Sequence, residues 1–222
     1  RVPIICHIGA QNTRDSLRLA RHAEKIGMDF VASIPPTYYR HIPQTIKAYY
    51  QEIMNAVGIP LLATNFPSAV GYEIQLDVLA ELAESGLAGL KETSQNLVYL
   101  TRAMDLVKKP DFIWVSGAVP FMLAAVMMGA VACVAGTANH FPEFTISLWD
   151  AIQNREYGKA AELQKRVTRL VSLQNITIDV VGAHEILRLR GLDFGHPRAP
   201  LKYFTEEQRE KLRKGLIDLG LL

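Results

Sequence analysis

The sequence predicts an α/β fold in which parallel β-strands alternate with α-helices. Two observations support this prediction: short apolar runs recur along the chain, and amphipathic helical patterns separate them. Such alternation implies parallel strands joined by right-handed crossovers, and runs that are apolar throughout fit strands covered on both faces. The six apolar runs are residues 3–6, 30–34, 60–63, 88–90, 112–115 and 131–135.

The segments between the runs have the period and the end signals of helices. Leu17, Ala20 and Ala23 recur on one face of the first helix, and Asn12 can cap its start. Glycines follow the ends of three helices, where a left-handed backbone conformation is favoured. These glycines are Gly27, Gly58 and Gly86.

The last third of the chain is predicted to be mainly helical. Thr205 and Gln208 have the spacing of a capping box, in which the two side chains bond reciprocally to backbone N–H groups. No linker or low-complexity segment separates this part from the rest, so we expect one domain assembly. The helical patterns cover residues 144–153, 159–174, 182–189 and 205–219.

Six strand–helix units suit an open doubly wound sheet as well as a closed barrel. Because the chain starts at Arg1 and leads directly into a strand, we expect a chain that begins inside a larger fold. Two upstream units would complete a (β/α)8 TIM barrel of the usual size. We therefore predict that residues 1–140 form barrel units three to eight. Residues 141–222 are predicted to form the last barrel helix and a C-terminal helical extension.

Composition argues against two classes of protein. The 222 residues carry a formal net charge of +2, and no basic run typical of nucleic-acid binding is present. Residues 117–140 lack Asp, Glu, Lys and Arg, which raises the question of a membrane helix. Because Pro120, Gly129 and Gly136 interrupt this stretch, we expect no membrane span.

The chain carries no sequence signature of a bound metal or cofactor, and we expect neither. A phosphate loop, a dinucleotide-binding fingerprint and a metal cluster are all missing from the sequence. The two cysteines, Cys6 and Cys133, suffice for neither a disulfide framework nor a zinc cluster. We interpret both as buried free thiols in a reducing compartment, which favours a cytoplasmic protein.

Lys91 is the strongest candidate for chemistry. The active site of a parallel barrel lies at the carboxyl ends of the strands, and Lys91 directly follows the apolar run 88–90. An amine at the mouth of an apolar barrel is poorly solvated when charged, which lowers its pKa and leaves some neutral nucleophile near pH 7. A neutral lysine can form an imine with a ketone. The alternative is a lysine that extends to water or pairs with a carboxylate.

Other strand ends supply weaker candidates. The Tyr38 hydroxyl could relay a proton, although aromatic pairs are also ordinary packing or interface residues. Thr64 and Asn65 could hydrogen-bond a ligand, or equally could cap the loop that follows them. His7 could serve as a base, but a single histidine at a strand end favours a structural role.

Several motifs, taken in order and at similar spacing, resemble the dihydrodipicolinate synthase / N-acetylneuraminate lyase superfamily of pyruvate-dependent class I aldolases. The motif around Lys91 resembles the segment that holds the Schiff-base lysine of that family. The motifs are Val-Pro-Ile-Ile at 2–5 with Gly9-Ala10, Pro-Thr-Tyr-Tyr at 36–39, Asn-Phe-Pro at 65–67 with Gly71, Gly-Leu-Lys-Glu-Thr-Ser at 89–94, Ser116-Gly117, and Gly-Thr-Ala-Asn at 136–139.

The resemblance implies a (β/α)8 barrel with a helical C-terminal part, assembled as a homotetramer from two dimers. It implies that Lys91 binds pyruvate as an imine, and that Tyr38 reaches across a dimer interface into the neighbouring site. Thr93 aligns with a threonine that contacts substrate in the sialic acid lyases. By the same resemblance, Gly117 and the backbone carbonyl of Val134 are expected to line the keto-acid site.

The chain also departs from the pattern of this family. Thr64 stands where the family has a phenol that relays protons, and its hydroxyl could hold a water but is far less acidic. Ala69 stands where the synthases have an arginine that grips the carboxylate of an aldehyde. The loop that holds the keto-acid carboxylate would lie upstream of this chain. Because an apolar pocket disfavours unpaired charge, we expect a second substrate less polar than aspartate semialdehyde or an acetylated aminosugar.

These residues leave three functions open. We predict a Schiff-base-forming lyase or aldolase that acts on pyruvate or a related 2-keto acid and is similar to dihydrodipicolinate synthase, with Thr64 as a substrate contact. One alternative is a keto-sugar-acid dehydratase that uses the same lysine imine. The other is a non-catalytic homologue that binds a keto acid, an interpretation suggested by the missing phenol.

Overall fold

The computed structural model describes residues 2–222, and its strands form one six-stranded sheet with the order β1-β2-β3-β4-β5-β6. Each neighbouring pair is parallel, which confirms the prediction from the alternation of strands and helices. The strands are β1 (Ile5–His7), β2 (Phe30–Ser33), β3 (Leu61–Asn65), β4 (Gly89–Glu92), β5 (Ile113–Ser116) and β6 (Ala132–Cys133). Arg1, on which the expectation about the start of the chain depends, lies outside the described residues.

Helices connect the consecutive strands. Asn12 caps the first of them, because its side chain accepts a hydrogen bond from the backbone N–H of Asp15 at 2.9 Å. The helices of this part are α1 (Thr13–Lys25), α2 (Pro43–Ala56), α3 (Pro67–Val70), α4 (Leu76–Glu84), α5 (Leu97–Leu106) and α6 (Met122–Met128). The strand–helix alternation that the sequence predicts is therefore present from β1 to β6.

Two of the three predicted glycine caps are confirmed. Gly27 and Gly86 have φ values of 77° and 115°, in the left-handed region. The prediction for Gly58 was wrong, because Gly58 does not have a positive φ. α2 ends at Ala56, and its C-cap residue Val57 is extended. The N–H of Gly58 donates instead to the carboxylate of Glu24 at 2.5 Å, so a side chain from α1 stabilises this turn.

The two faces of the sheet have different neighbours. The Ser33 hydroxyl lies 2.7 Å from the Tyr49 hydroxyl of α2, so the face that carries Ser33 is covered by helices. Ala63, the ladder partner of Ser33, is on the same face and fully buried. Since side chains alternate along a strand, Thr64 and its ladder partner Lys91 project from the opposite face.

β3 and β4 extend further toward their carboxyl ends than the apolar runs predict. Thr64 and Asn65 lie within β3, and Lys91 and Glu92 lie within β4. Their polar side chains do not interrupt the ladder, because strand pairing uses backbone groups that every one of these residues has. The sheet itself, rather than a loop, therefore positions these candidate residues.

Two compact units make up the chain, one of residues 2–118 with 124–133 and one of residues 119–123 with 134–222. The first unit contains the whole sheet. The second is helical, as predicted for the last third of the chain. Its elements are α7 (Pro142–Gln153), α8 (Tyr157–Gln174), α9 (Asp179–Leu189), α10 (Glu206–Asp218) and two 3₁₀ turns at Val119–Phe121 and Gly136–Asn139.

Buried polar contacts stabilise the helical unit. The imidazole of His140, which is fully buried, lies 2.9 Å from the side-chain amide oxygen of Gln174 on α8. Arg209 of α10 forms an ion pair with the buried carboxylate of Glu185 on α9 at 2.6 Å. The predicted capping box at Thr205 is confirmed, with both reciprocal bonds to Gln208 present. These contacts tie α8, α9 and α10 to their neighbours within this unit.

The apolar stretch at residues 117–140 is divided among short elements. Its α-helix, α6, has seven residues and its strand, β6, has two. Across residues 2–222, none of the helices is both long and apolar enough to cross a bilayer.

Candidate active site

Lys91 is the third residue of β4 and projects from the sheet face opposite the helices. Its ladder partners are Thr64 on β3 and Val115 on β5, and both are buried. The aliphatic part of the Lys91 side chain is therefore flanked by two packed side chains. Burial lowers the pKa of Lys91 from the ordinary value of 10.5, and the nearby Cys133 opposes this shift. At a given pH a larger fraction of this amine is therefore neutral than of an exposed lysine.

Gly117 allows the backbone after β5 to approach Lys91 closely. A methyl group at Gly117 would lie 2.0 Å from the hydroxyl oxygen of Thr93 and 3.0 Å from Cε of Lys91. The N–H of Gly117 donates to the carbonyl oxygen of Glu92 at 2.6 Å, which fixes the approach. The structure thus brings three of the sequence-predicted site residues, Lys91, Thr93 and Gly117, into one cluster.

Thr64 and Thr93 carry buried hydroxyls that have no protein hydrogen-bond partner. Thr64 is 3% exposed and stands beside Lys91 in the ladder. A buried polar group without a partner costs about 1–3 kcal/mol. A bound polar group would recover this free energy, so both hydroxyls are suited to hold a ligand at the amine.

A buried hydrogen-bond network supports β4 from the helix-covered face. The carboxylate of Glu92, 1% exposed, accepts hydrogen bonds from the side-chain amide of Asn65 at 2.7 Å and from the backbone N–H of Ser94. The amide oxygen of Asn65 in turn accepts from the N–H of Ile74 at 3.0 Å. Burial raises the pKa of Glu92, while the bonds from Ser94 and Asn65 lower it. The network joins β3 to β4 directly beside Lys91.

We expect Glu92→Gln to reduce the free energy of unfolding by about 1–3 kcal/mol. The carboxylate accepts through both oxygens, whereas a glutamine has one acceptor and would turn its NH₂ group toward a donor on Ser94 or Asn65. Asn65 cannot turn over in compensation, because its oxygen already accepts from Ile74. Urea denaturation measures the difference, with Glu84→Gln on the exposed surface of α4 as the matched control.

The difference in stability between the wild type and Glu92→Gln should depend on pH. Because the pKa of Glu92 is raised from 4.5 on folding, the folded chain binds this proton more tightly than the unfolded chain. The wild type should therefore gain stability relative to Glu92→Gln as the pH falls from neutrality toward 4.5, and this gain should level off below that value. A difference that shrinks on acidification would contradict this account of the Glu92 environment.

Two further groups, Cys133 and His7, interact electrostatically with Lys91. Burial raises the pKa of the Cys133 thiol on β6 to about 11, although Ser116 and the charge of Lys91 oppose this shift. The pKa of His7 on β1 is lowered, mainly because partial burial desolvates the imidazole and secondly because of the positive charge of Lys91. The sequence named His7 as a possible base but favoured a structural role for it, and it assigned Cys133 no role in the site. The proximity of both residues to Lys91 arises between strands that are far apart in the chain.

The expectation that both cysteines are buried needs correction. Cys6 and Cys133 are free, as expected, but each is only partly buried. Cys6 lies on β1, which has a single neighbouring strand among the described residues, and Cys133 lies on β6, where the same holds. An outer strand lacks the cover that a second neighbour provides, which explains the remaining exposure.

Tyr38 and Val134 have exposed side chains. Tyr38 follows β2, is 80% exposed, and meets the ring of Tyr39 edge-on at a centroid distance of 4.8 Å. The backbone N–H of Tyr38 donates to the side-chain oxygen of Gln11 at 3.1 Å. This bond holds the backbone of the loop but does not fix the phenol ring. Val134 directly follows β6 and is 45% exposed. The roles of both residues stay predictions.

The fold and the site define a class of α/β proteins whose functional residues stand at the carboxyl ends of parallel strands. A model of the Dihydrodipicolinate synthetase family matches residues 1–218, and the chain belongs to this family. The match covers the candidate site from His7 to Cys133 and nearly all of the helical unit.

Named relatives agree with this assignment. The chain is 31% identical over 222 residues to a protein of Halobacterium salinarum described as an uncharacterized DapA-like lyase, covering 100% of this chain and 72% of that protein. It is 29% identical over 223 residues to a 4-hydroxy-tetrahydrodipicolinate synthase of Methanosarcina mazei, covering 100% of this chain and 77% of that protein.

Solved structures share the fold. The dihydrodipicolinate synthase of Acinetobacter baumannii, crystallised with pyruvate, has a TM-score of 0.92 at 25% identity, over 100% of this chain and 76% of that chain. Dihydrodipicolinate synthase DapA-2 of Bacillus anthracis has a TM-score of 0.92 at 25% identity, over 98% of this chain and 74% of that chain.

Proposed function

We propose that the chain is a Schiff-base-forming lyase or aldolase that acts on pyruvate or a related 2-keto acid through Lys91. The observation that carries the proposal is the position of Lys91. Its amine stands at the carboxyl edge of a parallel sheet, with a lowered pKa, beside the unpartnered hydroxyls of Thr64 and Thr93. The synthases and DapA-like lyases among its relatives support the same chemistry, as does the pyruvate bound to the Acinetobacter baumannii enzyme.

The proposed reaction begins when the neutral amine of Lys91 attacks the keto carbon of the substrate. Loss of water from the resulting carbinolamine gives an imine, whose protonated nitrogen accepts electrons. In the cleavage direction, the hydroxyl group on C4 gives up its proton to a base and C4 leaves as an aldehyde. The electron pair of the broken C3–C4 bond becomes the C=C bond of an enamine on Lys91, and the protonated imine nitrogen accepts the displaced pair. The enamine takes a proton at C3, and hydrolysis then returns the keto acid and the free amine.

The threonines beside Lys91 suit the polar atoms of a bound keto acid. Thr93 and Thr64 can each donate one hydroxyl hydrogen bond, to a carboxylate oxygen or to the hydroxyl of the carbinolamine. The adjacent Gly117 leaves room for the planar imine, because it carries no side chain at the point nearest to Cε of Lys91.

The proposal extends to the whole fold and its assembly. We infer that the six strands are units three to eight of a (β/α)8 barrel, with residues 141–222 as its last helix and C-terminal extension. We also propose a homotetramer in the cytoplasm, in which Tyr38 enters the site of a neighbouring subunit and the Val134 carbonyl faces the keto acid. The exposed Tyr38 and Tyr39 pair is consistent with an aromatic contact surface.

Borohydride trapping tests the imine directly. The protein is incubated with pyruvate, reduced and digested, and the modified peptide is identified by mass spectrometry. We expect a single reduced adduct, on Lys91. An unmodified Lys91 in a folded sample would contradict the proposal and would favour a non-catalytic keto-acid-binding protein, which the absence of a phenol at Thr64 also suggests.

Product analysis distinguishes the proposed lyase from the alternative dehydratase. A lyase releases pyruvate from a longer keto acid, whereas a keto-sugar-acid dehydratase using the same imine releases water and keeps the carbon chain intact. Lactate dehydrogenase coupled to the reaction detects the pyruvate.

We expect the second substrate to be less polar than aspartate semialdehyde. The exposed Ala69 of α3 offers no charge to an aldehyde carboxylate, and desolvating an unpaired carboxylate is unfavourable. The measurement is kcat/KM for a panel of aldehydes with pyruvate held constant, in which uncharged aldehydes should exceed aspartate semialdehyde by about tenfold, or about 1.4 kcal/mol. A clear preference for the charged semialdehyde would overturn the expectation.

A further inference from the structure

We propose that His7 transfers protons to and from the carbon skeleton of the imine on Lys91. This inference rests on the proposed imine chemistry. Enamine formation requires a group that removes a proton from C3 of the bound keto acid. The residue beside Lys91 in the ladder is Thr64, whose hydroxyl is too weak a base for this step. His7, on the same sheet face, has an imidazole that can accept a proton near neutral pH.

The strand register places His7 on the face that carries the amine. His7 pairs with Ala32 on β2, Ala32 pairs with Leu62 on β3, and Leu62 pairs with Gly89 on β4. Ladder partners in a parallel sheet point to the same side, and Lys91 lies two residues after Gly89. His7 and Lys91 therefore project from the same face of the sheet, on the side away from the helices, with β2 and β3 between their strands.

The imidazole of His7 leans toward the carboxyl edge of the sheet. A methyl group at Gly9, two residues beyond His7, would lie 2.6 Å from Cε1 and 3.2 Å from Nε2 of the ring. The absence of a side chain at Gly9 thus lets the ring lie over the loop that follows β1. The ring therefore lies toward the carboxyl end of the sheet, the end at which Lys91 stands.

The electrostatics agree with this geometry. The charge of Lys91 contributes to the lowered pKa of His7, so the two groups lie within electrostatic range of each other. A pKa below 6.5 keeps the imidazole neutral at pH 7, and a neutral imidazole can accept a proton. Conversion of the Lys91 ammonium to a protonated imine keeps one positive charge nearby, which continues to favour the neutral base.

Other described groups are less suited to the step. The thiol of Cys133 has a pKa of about 11 and stays protonated at pH 7. The hydroxyl of Tyr49 is bonded to Ser16 and Ser33 on the helix-covered side, and that of Tyr99 donates to the carbonyl of Ile74. Burial raises the pKa of both phenols, which makes them poorer proton donors.

The step balances without any further reactant. Nε2 of neutral His7 takes a proton from C3 of the protonated pyruvate imine. The electron pair of that C–H bond becomes the C=C bond of the enamine, and the imine nitrogen accepts the displaced pair. The reverse transfer returns the proton to C3. In deuterium oxide the cycle exchanges the methyl hydrogens of pyruvate for deuterium, so proton transfer can be followed without a second substrate.

The experiment compares imine formation with proton transfer in His7→Gln. Borohydride trapping reports the imine, and proton NMR of pyruvate in deuterium oxide, at saturating pyruvate, reports exchange at C3. We expect trapping to remain within twofold of the wild type and exchange to fall at least about a hundredfold. His22→Gln, on the exposed surface of α1, is the matched control and should leave both signals unchanged.

A second substitution guards against a folding defect. His7→Ala is measured with and without added imidazole, and we expect the free base to restore part of the lost exchange. Exchange within twofold of the wild type in His7→Gln would overturn the inference, as would a wild-type protein that forms the imine without exchanging C3. If the wild type forms no adduct on Lys91, the proposed function itself fails, a result distinct from either of these.

Discussion

Replacing Lys91 by glutamine should remove the trapped pyruvate adduct and lower carbon–carbon bond cleavage by at least about a thousandfold. Glutamine has a similar length but no nucleophilic amine, so neither the carbinolamine nor the imine can form. Lys91 is the one lysine on the strands of the described residues, and burial lowers its pKa.

The same substitution should not destabilise the fold. The lowered pKa means that burial disfavours the charged amine, and an uncharged amide removes that penalty. Thermal unfolding should therefore occur at the same temperature as in the wild type, or higher. Lys214→Gln on the exposed surface of α10 is the matched control, and its adduct and activity should equal those of the wild type. An adduct that persists in Lys91→Gln would locate the imine elsewhere.

Gly117→Ala should reduce the free energy of unfolding by about 1–3 kcal/mol and abolish most of the activity. The added methyl group would meet the Thr93 hydroxyl oxygen at 2.0 Å, the Glu92 carbonyl oxygen at 2.9 Å and Cε of Lys91 at 3.0 Å. The first two contacts involve the buried hydroxyl of Thr93 and the backbone of Glu92, and the Glu92 carbonyl cannot move away unless the strand moves. If the Lys91 side chain moves to relieve the contact with Cε, its amine moves away from the hydroxyls of Thr64 and Thr93.

A double substitution tests whether the clash with Thr93 causes the destabilisation by Gly117→Ala. Thr93→Ala removes the oxygen nearest to the added methyl group, so Gly117→Ala should cost less in this background, by about 1 kcal/mol. Gly158→Ala is the control, since a methyl group in this first turn of α8 meets nothing within 4 Å and alanine favours helix. Denaturant unfolding of the four Gly117 and Thr93 combinations gives the coupling free energy, and strict additivity would contradict the steric account.

Local sequence pattern was sufficient for the element order. Apolar runs and helical periodicity predicted all six strands, because burial of a strand or of one helix face imposes a period on the chain itself. The buried set Ile46, Tyr49, Tyr50 and Ile53 on α2 shows this period directly. The pattern was weaker at the strand ends, where Thr64 and Lys91 continue the ladder although they are polar.

The sequence by itself determined the alternating parallel fold and singled out Lys91, since a lysine at the end of an apolar run is visible in one dimension. Only the tertiary structure placed Gly117 against Thr93, joined Asn65 to Glu92, and set His7 on the face of the amine. These contacts join residues on different strands, and their distances depend on strand register and on side-chain direction. No local pattern encodes those quantities, because the same short segments could pair in another register with their polar residues on the other face.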